Sequence, residues 1–159
     1  MRPTKCFALL SCSLALTGLL AASLSATADD NKNDQNAKQA IRVHLKDVRV
    51  KATNKNNEAW DVNNGRPDIM IRVKNLTDQS VPKYESGTRD DVLIATFDNA
   101  AINAMEGHTI QIDVIDSDVA SNDTIGTATF VLSSEACKKG SADLSFDQVE
   151  SLKLELEKR

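Results

Sequence analysis

The chain has 159 residues, of which 26% are charged and 4% aromatic, with a formal net charge of −4. That acidic balance, without a basic stripe, argues against nucleic acid as a partner and leaves no polybasic patch to hold anionic lipid unaided. Past the N-terminal stretch no run approaches the ~18 apolar residues of a membrane-crossing helix, so the mature protein is expected to be soluble.

The first segment reads as a secretory signal peptide. Arg2 and Lys5 make a basic start, Cys6 to Leu24 is apolar, and Ala26-Thr27-Ala28 is an A-x-A cleavage site before Asp29. A lipoprotein signal built on Leu9-Leu10-Ser11-Cys12 fits less well, because the apolar run continues past Cys12. The expected organisation is therefore a signal peptide over 1–28, a polar, disordered linker over 29–40 and one domain over 41–159. Cleavage after Ala28 implies a secreted or periplasmic destination. It also makes the remaining chain two units more negative, since the leader carries two basic and no acidic residues. Cys137 is then the only cysteine left, which excludes an intramolecular disulfide. Its lysine neighbours Lys138 and Lys139 are too slight a basis for a reactive thiol, and a small buried side chain is expected.

From Ile41 the chain alternates with period two. Ile41, Val43 and Leu45 face one way, Arg42, His44 and Lys46 the other, and Val48 and Val50 continue after a slip at Asp47 that reads as a β-bulge. Residues 52–67 form a long loop, a feature that in a compact domain is usually functional. Further strands are predicted over 68–73, 92–97, 109–116 and 124–132, with 81–84 a shorter candidate. Near the end Leu152, Leu154 and Leu156 alternate strictly with Lys153, Glu155 and Glu157, which favours a strand over a helix. Short helices are predicted over 100–106, stopped by Gly107, and over 133–139, closed by Gly140. Many short strands separated by polar turns point to an all-β sandwich or barrel.

Two acidic clusters sit where strands meet loops. One is Trp60-Asp61-Val-Asn-Asn-Gly-Arg-Pro-Asp68; the other is Asp116-Ser-Asp118-Val-Ala-Ser-Asn-Asp123-Thr-Ile-Gly126. Asp and Asn fill turns for local reasons, but the spacing D-x-D-x₄-D-x-I-G after an alternating strand is more particular than turn chemistry requires. Positions 116 and 118 of an extended chain point to the same side. A hard cation such as Ca²⁺ takes about six to eight oxygen ligands, mostly carboxylates, carbonyls and water. An EF-hand is excluded, since Ala120 and Ser121 stand where that loop needs a ligand and a glycine. Two like charges about 5 Å apart in water repel by about 0.8 kcal/mol, so five converging carboxylates would cost on the order of several kcal/mol until a cation neutralised them.

These motifs resemble the C2 domain, a calcium- and lipid-binding β-sandwich, over about residues 41–157. Asp61 and Asp68 match the family's first calcium loop. Asp116, Asp118 and Asp123 match its third, and Ile125-Gly126 match the pair that follows. The Trp-Asp…Pro-Asp form is similar to that of secreted bacterial members. The resemblance implies an eight-stranded antiparallel β-sandwich of the permuted, type II topology, because the strand leading into the first loop would be the first of the domain. It implies Ca²⁺ as cofactor, held by Asp61, Asp68, Asp116, Asp118 and Asp123. The chain departs from the family in three places: a first loop longer by one residue, a third loop shorter by one, which bears on Asp123 and on Ser121 as a candidate ligand, and the absence of Asn-Pro-x-Trp near Arg89–Phe97.

The leading expectation is a secreted, monomeric, calcium-binding module that docks to a phospholipid membrane or an extracytoplasmic protein. Only Val62 and Val119 are apolar at the loop tips, with Arg66 nearby for a headgroup, which is sparse for lipid insertion. The alternative is a structural or adhesion domain that calcium merely stabilises. An enzyme is not expected: His44 and His108 read as surface and turn residues, and neither G-x-S-x-G nor H-E-x-x-H occurs. The acceptor-like triplets Asn75-Leu-Thr77 and Asn122-Asp-Thr124 are discounted as glycosylation sites.

Overall fold

The computed structural model describes residues 38–61, 65–118 and 122–159. The expected leader, its cleavage point after Ala28 and most of the linker lie outside the described residues, as do Val62, Val119 and Ser121.

The alternating segments form strands because each has one apolar face to bury and one polar face to leave in water. In chain order these are β1 (Ala40–Val50), β2 (Ile69–Asn75), β3 (Tyr84–Glu85), β4 (Ile94–Thr96), β5 (Ala101–Met105), β6 (Thr109–Ser117), β7 (Asn122–Val131), the helix α1 (Ser134–Lys139), β8 (Ser141–Phe146) and β9 (Val149–Lys158). They make two antiparallel sheets. One runs β3-β2-β6-β7, and the other runs β4-β1-β9-β8 with β5 also on β1.

β4 and β5 occupy a single strand position. β4 lies against Asp47–Arg49 and β5 against Ala40–His44 of the same strand, and the gap is stitched by Phe97 N–H to Lys46 O (2.8 Å) and Leu45 N–H to Ala100 O (2.8 Å). Counted by position, the described residues form four strands facing four, which is the eight-stranded antiparallel β-sandwich expected from the sequence. The C-terminal β9 lies beside β1, an order consistent with the permuted topology.

The core is the filling between the sheets. Val43, Leu45 and Val48 of β1, Leu152 and Leu154 of β9, Ile69, Ile71 and Val73 of β2 and Ile110, Ile112 and Val114 of β6 are all fully buried. The slip in β1 is present: register shifts between Leu45 and Val48, so Asp47 turns outward and accepts a hydrogen bond from Thr96 Oγ1 (2.9 Å). α1 begins and ends where expected. Ser133 caps it by accepting from Ala136 N–H (3.2 Å), and Gly140 at φ 76° closes it in the left-handed conformation that favours glycine.

Residues 100–106 are not helical. Ala100, Ile102 and Ala104 are buried in alternation, and 101–105 pair with β1. Alanine, methionine and glutamate suggest a helix by propensity, but an open strand edge on β1 takes the segment instead. β8 is a further strand outside those predicted: Ala142, Leu144 and Phe146 alternate with Ser141, Asp143 and Ser145 and pack against the core, but the run is short and only partly buried, and it is held by pairing with β9. In the 81–84 region only Tyr84 and Glu85 pair, against β2.

Candidate metal centre

The antiparallel pairing of β2 with β6 places Ile69 opposite Asp116. The loop that enters β2 and the loop that leaves β6 must therefore meet at one end of the sandwich, and this register brings the two acidic clusters together. Asp68 N–H donates to Asp116 Oδ1 (2.7 Å), and Ser117 N–H donates to Asp68 O (2.9 Å). Upstream, Asp61 is held by a bridge across its loop to Gly65. The ring of Trp60 is fixed by its indole N–H, which donates to Lys51 O (2.9 Å).

A bulge sets the burial of Asp116. Val114 pairs with Gly126 but Ile115 pairs with Thr124, so Ile125 is an extra residue in β7. Alternation breaks there, and Val114, Ile115 and Asp116 are buried in succession. Bulges commonly re-aim a side chain beside a functional site. Here the result is a carboxylate only 1% exposed whose Oδ2 has no hydrogen-bond partner among the described residues. Such a group normally finds a partner.

Asp61, Asp116 and Asp118 each have a carboxylate oxygen within 4.8 Å of the other two. Among the described residues no lysine or arginine forms an ion pair with any of them. Burial pushes the Asp116 carboxyl up to about 6, offset in part by the Asp68 N–H bond and reinforced by Asp61, Asp118 and Asp68. Asp61 is also raised above the usual carboxylate range, by burial first, then by the adjoining Asp118, and by Asp68 and Asp91 beyond it. A buried carboxylate among like charges, with an unpartnered oxygen, suits a bound cation.

The other two candidates lie at the margin. Asp68 is close enough to raise both neighbours, but its Oδ1 already accepts from Asp91 N–H (2.7 Å). Asp123 stands opposite Asp116 across the β6–β7 pair, yet it is exposed and outside the convergent group. Asp91 joins this end without being among the residues the sequence singles out. It comes from a third loop, between β3 and β4, has φ 51°, and accepts from Arg66 N–H (2.9 Å). The only hint in the sequence is the doublet Asp90-Asp91 before a strand.

Two four-position sheets, this strand order and an acidic end built from the β1–β2 and β6–β7 loops define a C2-type β-sandwich. Solved structures bear out the fold. The chain is similar to a C2 domain of plant extended synaptotagmin 1 (14% identity, TM-score 0.54), covering 76% of this chain and 95% of that one. It is also similar to the calcium-bound tandem C2 domains of extended synaptotagmin 2 (19%, TM-score 0.51), over 75% of this chain and 45% of that one. Human GIVD cytosolic phospholipase A2 matches at 15% identity and TM-score 0.58, over 77% of this chain. This chain spans only 17% of the phospholipase, and the likeness is to its C2 domain. No protein-family model matches the sequence, and no curated protein matches it.

Proposed function

We infer that the protein is a calcium-binding C2-like module. The observation that carries this is the convergence of Asp61, Asp116 and Asp118 with Asp116 Oδ2 buried and unpartnered. Asp61, Asp116 and Asp118 would hold the cation, with Asp68 and Asp123 adding negative charge from either side. An oxygen-only donor set with several carboxylates suits Ca²⁺ better than Mg²⁺, which keeps most of its water and seldom sits in an all-protein cage. When bound, the cation supplies charge neutralisation and an open coordination edge. The residues of this chain supply position: the β2–β6 register fixes Asp116, the Asp68 N–H holds one of its oxygens, and the bulge at Ile125 keeps it from water.

On this reading the module docks, in a calcium-dependent way, to an anionic phospholipid surface or an extracytoplasmic protein. It acts as a monomer after removal of the leader at Ala28, in a secreted or periplasmic setting. The C2 fold supports the lipid half. The small loop-tip residues Val62 and Val119 favour a second reading, in which calcium only stabilises the loops.

Trp60 is the only tryptophan and adjoins Asp61, so its fluorescence should change on calcium titration. Asp116→Asn should abolish that change. With free calcium at about a hundredfold over Kd, the wild type should gain about 2.7 kcal/mol of stability and the variant none. No fluorescence change and no melting shift at millimolar calcium would remove the site. Calcium-dependent co-sedimentation with phosphatidylserine liposomes supports docking; a melting shift without co-sedimentation supports the structural reading.

A further inference from the structure

Beside the acidic cluster lies a second, separate feature: a half-open cleft of about 670 Å³. Its walls are the 54–60 stretch of the β1–β2 loop and the first residues of β7, and its floor is the β8–β9 turn. The convergent triad does not line it. Its size falls in the range of small-molecule sites, about 300–1,000 Å³.

The cleft is already built. Asn54 Oδ1 accepts from Asn56 N–H (2.9 Å) and Glu58 N–H (3.1 Å), which folds the outer wall on itself. The floor is joined to β7 by Thr127 N–H to Asp147 Oδ2 (3.0 Å) and Gln148 N–H to Ile125 O (3.3 Å). Gly126 permits this approach. A Cβ there would lie 3.0 Å from the Phe146 ring and 3.1 Å from Asp147 Cβ. Lys51 O takes the Trp60 indole N–H, which holds the ring in place at the cleft wall and leaves it no free polar group for a ligand.

The chemistry of the walls narrows the ligand. Among the described lining residues Lys55 is the only cation, against Asp123 and Asp147, so a phosphate or other polyanion has little to hold it. Ile125 is buried and Trp60 is the one aromatic, so a wholly apolar ligand is poorly served. Asn56, Asn122, Thr124 and Gln148 each donate and accept, which matches groups that do the same. A peptide would seek a free strand edge, but Asp147 and Gln148 already occupy the edge of β7 at 125–127. We propose that this cleft binds a neutral carbohydrate, with Trp60 against the sugar ring and Asn122 and Thr124 hydrogen-bonded to its hydroxyls.

The test is a titration of the full chain, in chelator, with glucose, galactose, mannose, N-acetylglucosamine and their soluble neutral oligosaccharides. Trp60 fluorescence and calorimetry are the readouts. A saturable response to at least one sugar is expected. Asn122→Ala and Thr124→Val, both at exposed positions, should each weaken it about tenfold, or about 1.4 kcal/mol. Asp116→Asn should leave the sugar response intact, and Asn122→Ala should leave the calcium response intact, so failure of one site is distinguishable from failure of the other. No saturable response to any of these sugars overturns the proposal. So does a response that requires calcium and disappears in Asp116→Asn, or equal binding of an uncharged Gly-Ser-Asn peptide.

Discussion

The two ends of the β2–β6 ladder bury polar side chains in opposite ways. At one end, Asn75 is 3% exposed and both of its side-chain polar atoms have partners. Its Oδ1 accepts from Thr77 N–H (3.0 Å) and Asp78 N–H (2.9 Å), and its Nδ2 lies 3.0 Å from Nδ1 of the buried His108. At the other end, Asp116 has one oxygen bonded to Asp68 N–H and one with no partner among the described residues, and its nearest charges are of its own sign. Both sites close a strand end, where backbone groups leave the ladder and need partners. The first is a finished structural cap. The second keeps a buried oxygen among like charges with no partner among the described residues, and this asymmetry, more than acidity alone, is what supports the proposal that this end binds a cation.

The largest expected break between the two ends is with pH. Burial and like charges raise the Asp116 carboxyl from its ordinary 3.8 to about 6, and Asp61 moves the same way. The folded state therefore binds protons more tightly than the unfolded chain. Without calcium, stability from this group is fully present below about pH 4 and is lost as pH rises through about 6, by up to about 3 kcal/mol. Saturating calcium should reverse the trend, because it binds the ionised form. Melting temperatures across pH 4 to 7, in chelator and in calcium, check this; Asp116→Asn should flatten the chelator curve. A chelator curve that rises over this interval in the wild type would contradict the assigned environment of Asp116.

The opposite end should respond to neither calcium nor chelator. Asn75→Ala strands two backbone N–H groups and leaves His108 without its partner, a loss of about 2 kcal/mol. Urea denaturation should show that loss unchanged by calcium. A calcium-dependent loss would mean that the two ends are coupled through the ladder.

How much of this is legible in the sequence depends on what fixes each element. β1, β6 and β9 are readable because Val, Ile and Leu alternate and burial follows the alternation. β5 reads as a helix because alanine, methionine and glutamate favour one, and only the vacant edge of β1 makes them a strand. β8 does alternate, Ala142, Leu144 and Phe146 against Ser141, Asp143 and Ser145, but six residues directly after the helix-closing Gly140, with an apolar face only partly buried, make a weak signal. In the acidic end, Asp61, Asp116 and Asp118 are visible as spacing. Asp91 is not, because its place depends on a backbone bond to Asp68 from a loop 23 residues away. The Ile125-Gly126 pair is recognisable as a motif, but its cause is hidden: Ile125 is the bulge and Gly126 is the gap into which Phe146 fits.

That cause yields a smaller effect at the acidic end. Gly126→Ala puts a Cβ 3.0 Å from the Phe146 ring, which must shift and draw the β8–β9 turn with it. Overpacking of this kind costs typically about 1–2 kcal/mol. Thermal melting of the variant reads that loss. Calcium affinity should change little, because the triad is anchored through β2 and β6, whereas any ligand of the neighbouring cleft should be lost with its floor.

The smallest expected effect is at Asp123, and it decides how far the candidate centre extends. Asp116 and Asp123 face each other across the β6–β7 pair, but only Asp116 is buried among like charges. An exposed carboxylate outside the convergent group contributes charge through water, where the interaction is worth about 1 kcal/mol or less. Asp123→Asn should therefore weaken calcium by only a few-fold, whereas Asp116→Asn abolishes binding. Calorimetric titration of the two variants beside the wild type measures the difference. An equal loss from both would make Asp123 a direct ligand and move the centre of the site toward β7; a few-fold loss keeps it on the β2–β6 register, where the unpartnered oxygen is.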